Sequence, residues 1–204
     1  ILILTSKLIK GSFNRTLAAT ILVTGFFSMW ISNSATAAMM LPIALGILKC
    51  FNVEDGKTKQ YFLLVVAYAA TIGGIATPIG SPPNLITIGL LAEHTGQSLS
   101  FWDWCKYGFP LSFIFMCILY VYAKIKITEN IATVDKDRLY NELGGHRPIT
   151  NNEIRLCLIF GLTVFFWFAP SLVSGLLGEA HEVSIYFKTY VSTGMVAIIA
   201  SCSL

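Results

Sequence analysis

Two long stretches of this chain carry no charged residue, and each is interrupted at its middle. The first covers residues 16–48 and has Ser32-Asn33-Ser34 at its centre. The second covers residues 60–92 and contains Gly73-Gly74-Ile75-Ala76-Thr77-Pro78-Ile79-Gly80-Ser81-Pro82-Pro83-Asn84. As an unbroken helix, either stretch measures about 50 Å against a hydrocarbon core of roughly 30 Å. Backbone opened at membrane depth is tolerated only where it is buried in protein or lines a cavity. Interrupted segments of this kind are where secondary carriers hold solutes and coupling ions. The pattern predicts an all-α membrane protein whose two breaks form a binding site.

Composition agrees. Charged residues make up 12% of the chain and hydrophobic residues 55%, with a mean hydropathy of +0.69. A soluble domain carries about 25% charged residues. Cys50, Cys105, Cys117, Cys157 and Cys202 have no metal or redox spacing and read as small apolar fillers. His94, His146 and His181 fall in predicted loops, as do Glu93 and Asp103, and no nucleophile, base and orienting group stand together. Neither an enzyme nor a nucleic-acid partner is expected. The start lacks the ordered parts of a cleavable signal. Because the chain opens on Ile1 and stops at Leu204 inside an apolar run, we expect it to be part of a longer protein.

Five apolar blocks can be placed, at 16–48, 60–92, 107–123, 156–178 and 189–204. Lysine and arginine concentrate on the cytoplasmic side of membranes, and they decide how the first block runs. If it enters and returns, one side holds Lys7, Lys10, Arg15, Lys49, Lys57, Lys59, Lys124, Lys126, Lys136, Arg138, Arg147 and Arg155. The other side then holds only Lys106 and Lys188, whereas a crossing block would move Lys7, Lys10 and Arg15 across to join them. The re-entrant hairpin is the better fit. Its halves, 16–31 and 35–48, are also short for a span that needs about 20 residues. Residues 60–92 are expected to cross as a broken helix, 107–123 and 156–178 as ordinary spans, and 189–204 as a truncated one. Residues 1–15 read as the end of a preceding helix and a cytoplasmic linker. The polar stretch 124–155 reads as an interfacial helix or a solvated loop. The basic loops face the cytoplasm, with the cell membrane as the expected location.

The two breaks carry the chemistry. Ser32, Asn33 and Ser34 supply two hydroxyls and an amide, and Ser28 lies one turn earlier on the same helical face. Ser32 or Asn33 can cap the following helix, whose N-terminal N–H groups favour an anion. Small polar residues also serve as packing aids between membrane helices, but an amide at this depth must find a partner. In the second break Gly73-Gly74 loosens the helix, and Pro78 cannot donate the bond that would continue it. Ser81 followed by Pro82 reads as an N-cap and first helical residue. The carbonyls of Thr77, Ile79 and Gly80 are expected to be freed, and a cation such as sodium can take them. The alternative is a proline-kinked helix without a ligand. Neither block contains Lys or Arg. An anion there would rely on hydroxyls, amides, helix N-termini and a co-bound cation.

The run Phe27-Ser28-Met29-Trp30-Ile31-Ser32-Asn33-Ser34-Ala35-Thr36-Ala37-Ala38-Met39-Met40-Leu41-Pro42 resembles the first hairpin of the divalent anion–sodium symporters. These are the dicarboxylate, citrate and sulfate carriers of the solute carrier 13 type. The run from Gly74 to Asn84 resembles the unwound loop of that family's next helix. The resemblance implies one repeat of an inverted-repeat, elevator-type transporter that works as a homodimer in the bilayer, with Na+ as coupling ion. By position it implies sodium ligation by Ser28, Ser32, Asn33 and the carbonyl of Gly80, and substrate contacts from Asn33, Ser34 and Ser81. The family's tip usually reads Ser-Asn-Thr, so Ser34 keeps the hydroxyl and loses a methyl. No second such tip occurs in residues 100–204, and the other half of the site is expected beyond Leu204. An exchanger of the same fold, and a structural or channel-like membrane protein, are the alternatives.

Overall fold

The computed structural model describes residues 12–53, 56–97, 99–127, 131, 150–177, 181–190 and 193–202. Among them the regular structure is entirely helical. The helices are α1 (Phe13–Ser28), α2 (Asn33–Cys50), α3 (Lys57–Gly73), α4 (Pro82–Thr95), α5 (Phe101–Lys126), α6 (Asn151–Leu177), α7 (Glu182–Tyr190) and α8 (Thr193–Cys202). They fall into two compact units. One lies within Ile1–Ser98 and Trp104–His146, the other within Leu99–Asp103 and Arg147–Leu204.

In the first unit, α1 and α2 form a helical hairpin. α1 ends where Met29 N donates to Gly25 O at 3.2 Å and Ile31 N donates to Phe27 O at 3.0 Å. α2 restarts at Asn33 with Ser32 as N-cap, its hydroxyl accepting from Ala35 N at 3.4 Å. The polar centre of the first block is thus the tip of the hairpin. α3 packs against both arms. The shared core is built from Leu17 and Ile21 of α1, Met40 and Ile47 of α2, and Phe62 and Val66 of α3, with Met116 and Leu119 of α5 completing it. At the end away from the tip, the Phe13 ring meets Phe51 edge-on at 5.3 Å and Phe62 at 5.7 Å.

The second block breaks after Gly73. Ile75 N donates to Ile72 O at 3.2 Å and Ala76 N to Gly73 O at 3.0 Å, so the last turn tightens before the chain leaves the helix. α4 restarts at Pro82 after Ser81 in an extended conformation. Ser81 occupies the N-cap position as expected, but its side chain makes no capping bond. α5 braces this break along one stripe of its surface. Trp104 Nε1 donates to Ile75 O at 3.0 Å and Ser112 Oγ to Ile72 O at 2.9 Å. Between them Gly108 lies so close that a Cβ there would sit 2.6 Å from Ala76 O.

Among the helices that start ahead of their apolar blocks are α5 and α6. α5 begins at Phe101, ahead of block 107–123, and α6 at Asn151, ahead of block 156–178. Each opens on a reciprocal cap. Ser100 N donates to Asp103 Oδ2 and Asp103 N to Ser100 Oγ, both at 3.2 Å. Thr150 N donates to Glu153 Oε2 at 2.8 Å and Glu153 N to Thr150 Oγ1 at 3.3 Å. Hydroxyl-x-x-carboxylate is the sequence signature of such starts. Block 189–204 is divided between the end of α7 and α8, and most of 124–155 and of 1–15 lies outside the described residues. In the second unit α6 packs with α7 and α8. There the Phe101 ring stacks on Trp167 at 5.6 Å and meets Phe168 at 5.0 Å.

Both long helices present apolar side chains outward, among them Ile125 at 65% exposure and Leu158 at 63%. Helices apolar on their exposed faces are built for lipid. By length and composition, Asn33–Cys50, Phe101–Lys126 and Asn151–Pro170 can cross a membrane. α2 therefore reaches a crossing length that the shorter segment 35–48 did not suggest.

A close backbone contact between α1 and α3 sits just below the break. A Cβ on Gly73 would stand 2.3 Å from Gly25 O, backbone against backbone, whereas one on Gly25 would meet the flexible end of Met116. Gly73→Ala should therefore destabilise the protein by about 3 kcal/mol, and Gly25→Ala by only about 1 kcal/mol, since overpacking costs scale with how far the neighbour can yield. Thermal denaturation in detergent measures the order, and equal losses would contradict it.

Candidate functional site

The hairpin tip and the helix break meet. Ser28, the last residue of α1, is fully buried, with its Oγ 2.8 Å from Asn33 Oδ1 and 2.5 Å from Ala70 O. A hydroxyl has one proton, so it donates to one of these acceptors and touches the other. Asn33 opens α2, and its side chain lies flat on Gly74, where a Cβ would stand 2.2 Å from Oδ1. Gly80 closes the group. A Cβ on it would be 2.6 Å from Gly74 O and 3.0 Å from Ser28 O. Glycine at 74 and 80 is therefore what lets the two segments approach.

Two side chains given no role by the sequence reading hold the break in shape. Asn84 is buried in the first turn of α4, and its Nδ2 donates to Gly74 O at 2.7 Å and to Thr77 O at 2.8 Å. Thr77 Oγ1 donates to Met29 O at the hairpin tip and accepts from Gly80 N at 3.1 Å. Thr77 thereby ties the break to the hairpin in a single side chain. The carbonyl of Thr77, expected to be free for a cation, is instead taken by the Asn84 amide. That correction has a plain cause, since a buried amide must be satisfied and the opened backbone is its nearest acceptor. The signal was present: an asparagine follows two prolines inside an uncharged block.

The remaining candidates stand at the rim. Ser32 is exposed, with its hydroxyl engaged as the α2 cap. Ser34 is exposed on the first turn of α2, and Ser81 is half-buried at the start of α4. The two helix starts differ in what they offer. α4 opens on Pro82 and Pro83, which have no N–H, and Asn84 N donates to Ser81 O at 3.0 Å. α2 opens on Asn33 and Ser34, whose N–H groups belong to the unsatisfied first turn of a helix. With no acidic residue in that turn, the α2 start carries the partial positive charge that an anion seeks.

The donor set around the junction is a hydroxyl, an amide oxygen and backbone carbonyls. Such neutral oxygens suit a hard alkali cation. Among the described residues no cluster of three or more His, Cys, Asp or Glu stands in position to hold a metal ion.

The sequence matches the profile of a known family, described as citrate transporter, over residues 1–203. It is 35% identical over 191 residues to an uncharacterized transporter of Haemophilus influenzae, covering 89% of this chain and 38% of that protein. To an uncharacterized transporter of Methanocaldococcus jannaschii it is 37% identical over 172 residues, covering 82% of this chain and 34% of the other. It is 31% identical over 168 residues to the sodium-dependent dicarboxylate transporter SdcS of Staphylococcus saprophyticus, covering 76% and 32%. The chain thus spans about a third of the length of these curated relatives. A profile match that runs from one end of the chain to the other, together with transporters as relatives, makes the chain a member of the citrate transporter family and of the integral membrane proteins.

Proposed function

We propose that this chain forms the first repeat of a sodium-coupled carrier for di- or tricarboxylates or a related divalent anion. The observation that carries the reading is the junction itself, where the buried Ser28 and the half-buried Asn33 of the hairpin tip meet Gly74 and Gly80 of the break. Sodium would be held there by Ser28, Ser32, Asn33 and the Gly80 carbonyl. The substrate carboxylate would lie against Asn33, Ser34 and Ser81, at the start of α2. Two negative charges in a site without lysine or arginine gain from a cation bound beside them, which gives coupling a physical cause. The relative named as a sodium-dependent dicarboxylate transporter supports both ligands. Elevator-type movement, an inverted second repeat and a homodimer belong to the same reading.

The re-entrant course of α1 and α2 is part of it. At 16 residues α1 measures about 24 Å, short of a hydrocarbon core of roughly 30 Å, while α2, at 18 residues and about 27 Å, stands at the lower limit of a spanning helix. Their pairing at a polar tip and the distribution of lysine and arginine favour return to the cytoplasmic side. Single cysteines at the exposed Asn14 and Lys57 should then react with a membrane-impermeant maleimide from the same face of the membrane. Labelling from opposite faces would make the hairpin a pair with one crossing arm.

Uptake of radiolabelled succinate by the natural protein in proteoliposomes tests the activity. We expect uptake to require a sodium gradient and to fall at least about 100-fold in Asn33→Ala, which removes the amide from both ligands. Uptake that is indifferent to sodium but requires internal succinate would favour exchange. Asn84→Leu should leave the Gly74 carbonyl without its donor and the Thr77 carbonyl with only the longer bond from Gly80 N at 3.3 Å, and cost about 2 to 4 kcal/mol for the two. Its expected signature is a lower melting temperature together with a raised sodium concentration for half-maximal uptake; an unchanged sodium requirement would separate Asn84 from the site.

A further inference from the structure

One buried hydroxyl has no role in the packing described so far. Thr36 stands in the first turn of α2, one turn beyond Asn33, and is 0% exposed. Its backbone N–H donates to Ser32 O at 2.9 Å, yet its Oγ1 is buried without a hydrogen-bond partner. Other helical threonines in this protein, buried or exposed, pair their hydroxyls in one way. Thr16, Thr20, Thr24, Thr71, Thr87 and Thr163 each donate to the carbonyl four residues back, at 2.6–3.1 Å. Thr36 has the equivalent acceptor, Ser32 O, in its own helix, and its hydroxyl does not use it. A buried unpaired hydroxyl is unfavourable, and valine would fill the same space without it.

Its direction follows from the helix. Residues three apart share a face, so Thr36 lies on the side of α2 that carries Asn33. That side meets the end of α3, because the Asn33 side chain rests on Gly74 and α2 packs on α3. Thr36 also heads the buried stripe that continues through Met40, Ala44 and Ile47. The orphan oxygen is thus buried on the face of α2 that bears Asn33, one turn further along the helix. We propose that Thr36 Oγ1 is a further ligand of the alkali cation bound where the hairpin tip meets the break. A hydroxyl coordinates through its lone pairs, keeps its proton, and needs no change of protonation state to do so. The inference rests on the sodium-site reading above.

The test is thermal denaturation of the detergent-solubilised natural protein, titrated with sodium chloride at constant ionic strength against choline chloride. Stabilisation by a ligand grows with its concentration relative to its dissociation constant, so each curve yields a sodium affinity. For Thr36→Val we expect a melting temperature in choline equal to or above that of the wild type, and a sodium affinity at least about tenfold weaker. Thr36→Ser, which keeps the oxygen, should stay within about threefold of the wild type. Thr36→Ala serves the same purpose as valine should the β-branched substitute not fold. If Thr36→Val raises the melting temperature equally in both salts and keeps the wild-type sodium affinity, the hydroxyl is only a packing residue and the proposal falls. If the wild type itself shows no sodium-dependent shift, the sodium site falls and the proposal with it.

Discussion

Everything at the junction depends on how the opened backbone of residues 74–81 is satisfied. A chain that leaves its helix inside a bilayer has no water to turn to, so its donors and acceptors must be met by protein groups or by a ligand. Here two side chains meet three of those groups, Gly74 O, Thr77 O and Gly80 N. The Asn84 amide ties the far end of the break back to Gly74, and the Thr77 hydroxyl ties its centre to the hairpin at Met29. α5 covers the outer flank through Trp104 and Ser112. What results is a break held in one conformation from three sides. The groups left toward the tip are those able to take a ligand.

Rigidity of this kind matters for a binding site made of neutral oxygens. A charged residue attracts an ion over a distance, whereas hydroxyls and carbonyls act only when already aimed. Glycine at 73, 74 and 80 is the means. Each stands where a Cβ would strike backbone or the Asn33 side chain, so the approach of α1, α2 and the break leaves no room for anything larger.

Much of this was legible in the sequence. The uncharged blocks and their polar centres placed the hairpin tip at Ser32-Asn33 and the break between Gly73 and Pro82, because charge, proline and glycine act locally. The helix starts at Phe101 and Asn151 were legible in principle, in Ser100-x-x-Asp103 and Thr150-x-x-Glu153, but hydropathy alone does not see a cap. The partners of Asn84 and Thr77 were not legible. Which carbonyl a buried amide finds depends on how the segments fold onto one another. For the same reason Ser28, Asn33 and Gly80 share one junction while Ser34 and Ser81 remain at its rim, although all five lie in or beside the two breaks of the sequence.

The threonines of α1 show how a polar sequence can behave as an apolar surface. Thr16, Thr20 and Thr24 lie one turn apart on the buried face, and each gives its proton to its own helix. Hydroxyls spent in this way leave the buried face with no hydrogen bond to match across it. Only at Ser28 does the series reach across, to Ala70 O. The seam between these two helices is therefore smooth for most of its length and keyed at one end. The key lies among the atoms that the proposed ion would touch, so what binds there bears directly on the polar tie between these helices.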